Sequence, residues 1–442
     1  MTAILFLVFG AAIFVVISTR FTLISLFIVS SCVYSLPAFW LSDIPAVVLI
    51  SWFMVFGVSL VAQLALSANM SRSHGHPLYI NHNSIIFDDR SASVTNLVLN
   101  CSTLILFSFL VYLHGGVGIF FKGKYSGVAS TALLYYSWNS LLLITAIHNL
   151  ISRKFSSPWS VIGIGQILLL FVGGDRTIPV MFFAAVVYNY FRGATPLAMP
   201  KRARVLMVLL PVLLPLIVIS KSIYTVLPKQ GFSIRTAELI GQNFSDWAVK
   251  DFEPSHTMTM FKSIALNGLP YGWSDLFRGL PAILPFSSYI NIDPHIFSEM
   301  VKRRFYSSWG PDAGVGANFW AQGYVLLGLA GVLMFAILVI LSLRYFERAI
   351  GRTSSSAARA TFLACGVIVA FYVHRNSLEQ ILAFLGRYAA IGLLAGLIGA
   401  IASNSIKSRD RNIRLKVSQF QHRQLGTAPL EHGDRRRIER NG

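Results

Sequence analysis

Long apolar runs recur along this chain, and they constrain its fold more than any other feature. A bilayer-crossing helix needs about 20 mostly apolar residues. Runs of about that length occupy 2–18, 22–40, 45–67, 94–114, 128–150, 158–174, 178–191, 204–222, 317–343, 360–373 and 381–403. Only 12% of the 442 residues are charged and 55% are hydrophobic. A soluble domain carries about twice that share of charge. The reading is an all-α polytopic membrane protein of about eleven spans. The N-terminus lacks a basic leader and a small-residue cleavage site, so it reads as a retained first span.

The formal charge of +19 invites a nucleic-acid partner, but its distribution argues against one. Basic residues gather in alternate short loops, at Arg20, Arg72 and Arg90, Arg153 and Lys154, Arg192 to Arg204, and Arg344 to Arg359. Ten more follow from Lys407. That pattern places those loops and the C-terminus in the cytoplasm. The long segment 223–316 then lies outside. The chain divides into an N-terminal bundle (1–222), that large external loop, C-terminal spans (317–403) and a basic tail (404–442). The tail reads as disordered or laid on anionic lipid. The loop reads as partly helical, over 236–252 and 256–266, and then broken by prolines. Its stretch 275–286 is apolar enough to touch lipid or line a cleft.

Cys32, Cys101 and Cys365 all fall within apolar runs, which argues against a disulfide framework. His74, His76 and His82 lack the companions of a metal site and read as a solvated linker. No cofactor is expected, and without a DxD motif or acidic cluster the chemistry reads as metal-independent.

Ionisable groups at membrane depth are costly and usually functional. Two motifs meet that description. In GGDRT (173–177), Arg176 follows Asp175 at the mouth of a span. In HRNSLEQ (374–380), His374, Arg375 and Glu379 lie at an external turn, and Arg375 and Glu379 have the spacing of a helical ion pair. Guanidinium groups match phosphate oxygens in a bidentate way, so Arg176 and Arg375 are candidate diphosphate ligands. Arg303 and Arg304, beside Lys302, form a further basic cluster. Glu253, His256 and Asp312 are the candidate general bases. The loop's Trp and Tyr residues, including Tyr271 and Trp320, suit sugar stacking or an interfacial belt.

Over about residues 170–390 the chain resembles the Wzy-type O-antigen (oligosaccharide repeat-unit) polymerases. The likeness rests on span number, the late external loop, and the segments GGDRT, YGWSDLFRGLPAILP, GVGANFWAQGYVLLGLAGVL and HRNSLEQ. The family commonly has Glu where this chain has Gln322, so that position is not expected to act as acid or base. The resemblance implies a GT-C-like fold in the bacterial inner membrane, with the large loop periplasmic. It implies polymerisation of undecaprenyl-diphosphate-linked repeat units into a surface polysaccharide (O-antigen, capsule or exopolysaccharide). Partners would be the lipid-linked oligosaccharide, membrane lipid, a chain-length regulator and a flippase. An O-antigen ligase of the same fold and a transporter of lipid-linked oligosaccharide are the alternatives.

Overall fold

The computed structural model describes residues 2–72, 89–118, 132–152, 157–172, 175–195, 233–235, 238, 242, 252–285, 295–307 and 317–425. Seven helices form the N-terminal part: α1 (Thr2–Ser18), α2 (Leu23–Ser35), α3 (Ala46–Arg72), α4 (Asp89–Leu113), α5 (Ala132–Ile151), α6 (Pro158–Val172) and α7 (Thr177–Phe191). The large loop contributes α8 (Glu253–Asn267), α9 (Trp273–Gly279) and α10 (Ile296–Phe305). The last three are α11 (Phe319–Arg352), α12 (Ser356–Tyr372) and α13 (Leu378–Leu425). Two 3₁₀ turns, η1 (Leu36–Phe39) and η2 (Leu280–Ile283), each carry a proline in the first turn. No strand occurs among the described residues, and the protein is an all-α membrane protein.

Among the described residues, four helical stretches are long and apolar enough to cross a bilayer: Ala46–Ala68, Ala92–Leu113, Phe319–Arg352 and Leu378–Ile401. Shorter apolar helices accompany them. The expected span at 204–222 lies outside the described residues, as do His74, His76 and His82.

The helix ends follow local chemistry. Thr22 and Ser25 exchange side-chain and backbone bonds at the start of α2. Asn318 accepts from the amides of Trp320 and Ala321 to start α11, and Ser355 accepts from Ala358 to start α12. Gly268 ends α8 at φ 67°, a conformation glycine adopts without steric cost.

α12 is the hub. It packs against α13, α11, α5, α2 and α7. Its short sequence suits that place, because Ala360, Ala364, Gly366 and Ala370 let neighbouring backbones approach. A β-carbon on Gly366 would meet Leu23 Cδ1 at 2.6 Å. Polar side chains tie α4 to α5: Asn96 donates to Asn149, and the hydroxyls of Thr103 and Thr145 meet at 2.9 Å.

Two features depart from the hydropathy reading. α11 is broken at Leu327 and Gly328, where Gly328 takes φ 61°. In a straight helix Gly323 and Gly331 would lie about 12 Å apart along the axis. Here a β-carbon on Gly331 would stand 1.9 Å from the Gly323 carbonyl oxygen, so the chain bends sharply between them. The tail from 404 is the second correction. It continues α13 as helix to Leu425. No Gly or Pro interrupts 402–425, and Lys, Arg and Gln propagate helix well. Gly426 and Pro429 follow directly.

The described part of the large loop is docked on the bundle. α8 lies on α2, α11 and η1, α9 lies on η2 and α10, and η2 runs along α13. A β-carbon on Gly386 would stand 1.7 Å from the Ile283 carbonyl oxygen. That close approach sets the depth to which the loop follows α13.

Candidate functional site

The loop helices and the bundle meet at the HRNSLEQ turn between α12 and α13. Four of its side chains reach four different sets of partners.

His374 is fully buried between α2 and α11. Its Nδ1 accepts from the Trp320 indole N–H at 3.0 Å. An indole only donates, so Nδ1 carries no proton and the ring is neutral with Nε2–H. Nε2 faces the Ser30 hydroxyl at 3.0 Å and that of Ser31 at 3.3 Å. Phe27 and Tyr34 stack on the ring at 5.1 and 5.2 Å. The imidazole thus locks α2, α11 and α12 together.

Arg375 pairs with Glu253 Oε2 at 3.1 Å, and its side chain is 28% exposed against 29% for Glu253. The other Glu253 oxygen accepts from Tyr34 Oη at 2.9 Å. Glu253 opens α8, where its charge favours the positive helix end. The expected Arg375–Glu379 helical pair is therefore corrected. Arg375 lies in the turn before α13 begins at Leu378, so the i,i+4 geometry of a helix does not apply to it.

Glu379 is fully buried. It accepts the Tyr271 hydroxyl hydrogen on Oε1. On Oε2 it accepts from Gln322 Nε2 at 2.9 Å. Gln322 Nε2 also donates to Tyr271 Oη at 2.7 Å, and its Oε1 accepts from the Leu378 amide at 2.8 Å. Every hydrogen-bonding atom of Gln322 is thereby engaged. Among the described residues no Lys or Arg pairs with Glu379. Burial, then the charge of Glu379, push the Tyr271 hydroxyl well above the ordinary tyrosine range. Gly279 closes over this ring: a β-carbon there would stand 2.2 Å from Glu379 Cγ. One residue on, Gln380 Nε2 meets His295 Nδ1 at 2.7 Å and Ser298 Oγ at 3.3 Å.

The other candidates fall elsewhere. Asp175 is buried, its Oδ2 accepting from Tyr135 Oη at 2.9 Å and Asn139 at 3.3 Å, and its Oδ1 from the Thr177 amide at 3.1 Å. Arg176, half-buried, follows it at the start of α7. Arg176 thus opens α7 beside α5, whereas Arg375 faces α2 and α8. His256 is exposed one turn along α8 from Glu253. Arg303 and Arg304 are exposed in the last turn of α10, where positive charge suits the negative helix end. Asp312 lies outside the described residues.

Tyr271, Trp320 and Gln322 have structural roles that sequence reasoning did not foresee. Tyr271 and Trp320 are buried polar anchors, not stacking surfaces for a sugar. Gln322 cannot act as an acid or base, yet it holds the Glu379 ring together. The signals for it were a polar side chain inside an apolar run and its place where the resembled family commonly has Glu. Among the described residues, no group of His, Cys, Asp and Glu is arranged to hold a metal ion. No protein-family model matches the chain, and neither a curated protein nor a solved structure matches it.

Proposed function

We propose that the chain is a membrane glycosyltransferase that polymerises lipid-diphosphate-linked oligosaccharide repeat units, with the loop-bearing end of the bundle at the periplasmic face of a bacterial inner membrane. The observation that carries this reading is the Arg375–Glu253 pair. It is a partly exposed ion pair at the seam between loop and bundle, with Glu253 held from behind by Tyr34.

In this scheme the donor diphosphate takes the place of Glu253 on Arg375. Guanidinium is well matched to two phosphate oxygens, and the exchange frees the Glu253 carboxylate beside the acceptor sugar. The acceptor hydroxyl oxygen bonds to the anomeric carbon of the donor glycan as the bond from that carbon to the phosphate oxygen breaks. The electron pair leaves on the diphosphate, where Arg375 offsets the charge, and the hydroxyl proton passes to Glu253. Arg176 would hold a further phosphate oxygen or the lipid side of the donor. A chain-length regulator and a flippase would act with the protein in the cell.

The test uses purified protein in vesicles with polyprenyl-diphosphate-linked oligosaccharide. Elongation of the glycan that is lost in Arg375→Ala supports the reading, and elongation unaffected by that change overturns it. Transfer to a lipid A core in place of elongation would identify a ligase.

One observation favours a second reading. Transporters bind cargo at discontinuous helices near mid-membrane, and α11 is broken at Leu327 and Gly328. Movement of labelled lipid-linked oligosaccharide across the vesicle membrane without elongation would establish that reading in place of the first.

A further inference from the structure

Arg387 is the tenth residue of the apolar stretch Leu378–Ile401 of α13, about 14 Å along the axis from its start at 1.5 Å per residue. The mid-span positions read as apolar from hydropathy, and Arg387 is the exception. A cation there is costly and is a functional candidate by default.

Among the described residues no carboxylate pairs with it. Its Nε donates to the Ala383 carbonyl of its own helix at 3.3 Å. The guanidinium carbon lies over the Tyr136 ring at 5.3 Å and the Phe384 ring at 5.0 Å. Aromatic rings attract the cation but do not replace the oxygen acceptors that its other N–H groups seek. Guanidinium carries five such donors, and among the described residues only the Nε donor is bonded to oxygen.

The surroundings show from which side an acceptor can come. Tyr136 is 38% exposed, and Arg387 and Phe384 are half-buried. Tyr136 is the fifth residue of α5, and in a bilayer a ring exposed on the flank of an apolar helix would face acyl chains or their headgroup boundary. α5 and α13 pack together, with Tyr136 and Arg387 on their shared margin. η2 borders the same part of α13 through Ile283 and Gly386, and Ile283 and Leu284 are exposed and apolar. The guanidinium therefore stands at the margin of α5 and α13, beside exposed apolar and aromatic groups. A ligand suited to it has an apolar body and an anionic group of paired oxygens.

We propose that Arg387, with Tyr136 and Phe384, forms a lateral site for the phosphate group of a membrane lipid entering between α5 and α13. The identity of that lipid rests on the proposed function, under which it is the polyprenyl diphosphate of the substrate. The site then holds the lipid before its sugar end reaches Arg375.

The experiment places the full chain in discs of uncharged lipid and labels it with a photoreactive polyprenyl diphosphate. Labelling is expected in the peptides that carry residues 132–140 and 383–388. Unlabelled polyprenyl diphosphate should compete at least about tenfold better than the uncharged polyprenol, the scale of a charge-assisted pair. Arg387→Met should cut labelling about tenfold, Arg387→Lys should retain most of it, and Tyr136→Leu should reduce it less than Arg387→Met. Competition by phosphatidylglycerol as strong as by polyprenyl diphosphate supports the phosphate site and assigns it to phospholipid. Equal competition by polyprenol, by inorganic pyrophosphate alone, or labelling unchanged in Arg387→Met overturns the proposal. Where Arg387→Met fails to fold, the competition series on the unmodified protein decides. Glycan elongation is read separately, so a lipid site without elongation leaves this inference standing and removes the polymerase reading.

Discussion

Each end of the bundle is built around one glutamate, and the two glutamates are satisfied in opposite ways. At one end Glu347 of α11 meets a cation. Arg192 Nε lies 3.4 Å from it, Tyr188 Oη donates at 2.7 Å, and the Leu23 amide donates at 2.9 Å. Phe21 and the segment 192–194 pair by backbone beside it. These partners tie α2, α7 and α11 where loops are short, and the pair is partly solvated. At the other end Glu379 is fully buried and, among the described residues, receives only the neutral donors Tyr271 and Gln322. A buried carboxylate without a cation is expensive. Glu379 lies under the docked loop, four residues after Arg375, and under the proposed function this is the working end. Glu347 holds helices together, whereas Glu379 ties Tyr271 of the loop to Gln322 of the bundle.

The sharpest way to break that comparison is through activity. Arg375→Ala should lower glycan elongation by roughly 10²–10³-fold, the scale for loss of one group that stabilises developing charge. Glu347→Ala should leave elongation nearly intact once the protein is folded. Equal losses at both ends, measured in the same vesicles, would mean that neither end is the site.

Stability gives the next largest contrast. Glu379→Ala leaves the donors of Tyr271 and Gln322 without an acceptor and should cost about 2–4 kcal/mol. Glu347→Ala breaks a partly solvated cluster and should cost about 1 kcal/mol. Unfolding in mixed micelles measures both, and the reverse order would sink the distinction.

The seam itself can be opened. Gly386→Ala puts a methyl against the Ile283 carbonyl oxygen and should cost about 1–3 kcal/mol through overpacking. Proteolysis of the segment 268–285 should rise with it. No change in protection would mean that the loop is not held at this depth.

The smallest effect is a pH dependence. The Tyr271 hydroxyl is pushed up in the folded protein, so the folded state keeps a proton that the unfolded chain releases near pH 10. Its contribution to stability is complete below that pH and is lost as the pH rises above it. Tyr271→Phe should flatten the alkaline limb of the stability profile. An unchanged limb would show that the Tyr271–Glu379 contact does not matter to folding.

Much of the helical layout was legible because bilayer-length apolarity is a local property. The expected spans that are described are all helical, and 256–266 lies within α8. The HRNSLEQ motif stood out in the sequence as a cluster of polar side chains at a span boundary, and the structure makes it a junction of loop and bundle. Its pairing was not legible. Arg375 and Glu379 are four apart, but a turn separates them from a shared helix, and their partners come from elsewhere in the chain. The reading of the tail as disordered failed over 404–425 because polar composition limits burial without preventing a continuous helix.

The order of apolar runs, the density of charge and the breaks at Gly and Pro set where helices form, because each depends on residues adjacent in the chain. Tertiary structure alone decided that Tyr271 and Gln322 meet Glu379, that Glu253 meets Arg375, and that Arg387 lies over the Tyr136 ring. Those contacts join positions up to hundreds of residues apart, and they depend on how helix faces rotate and on which glycines permit close approach. The bend at Gly328 belongs to the same class. A lone glycine in an apolar run is compatible with a straight helix, and the packing of α11 against its neighbours selected the broken one.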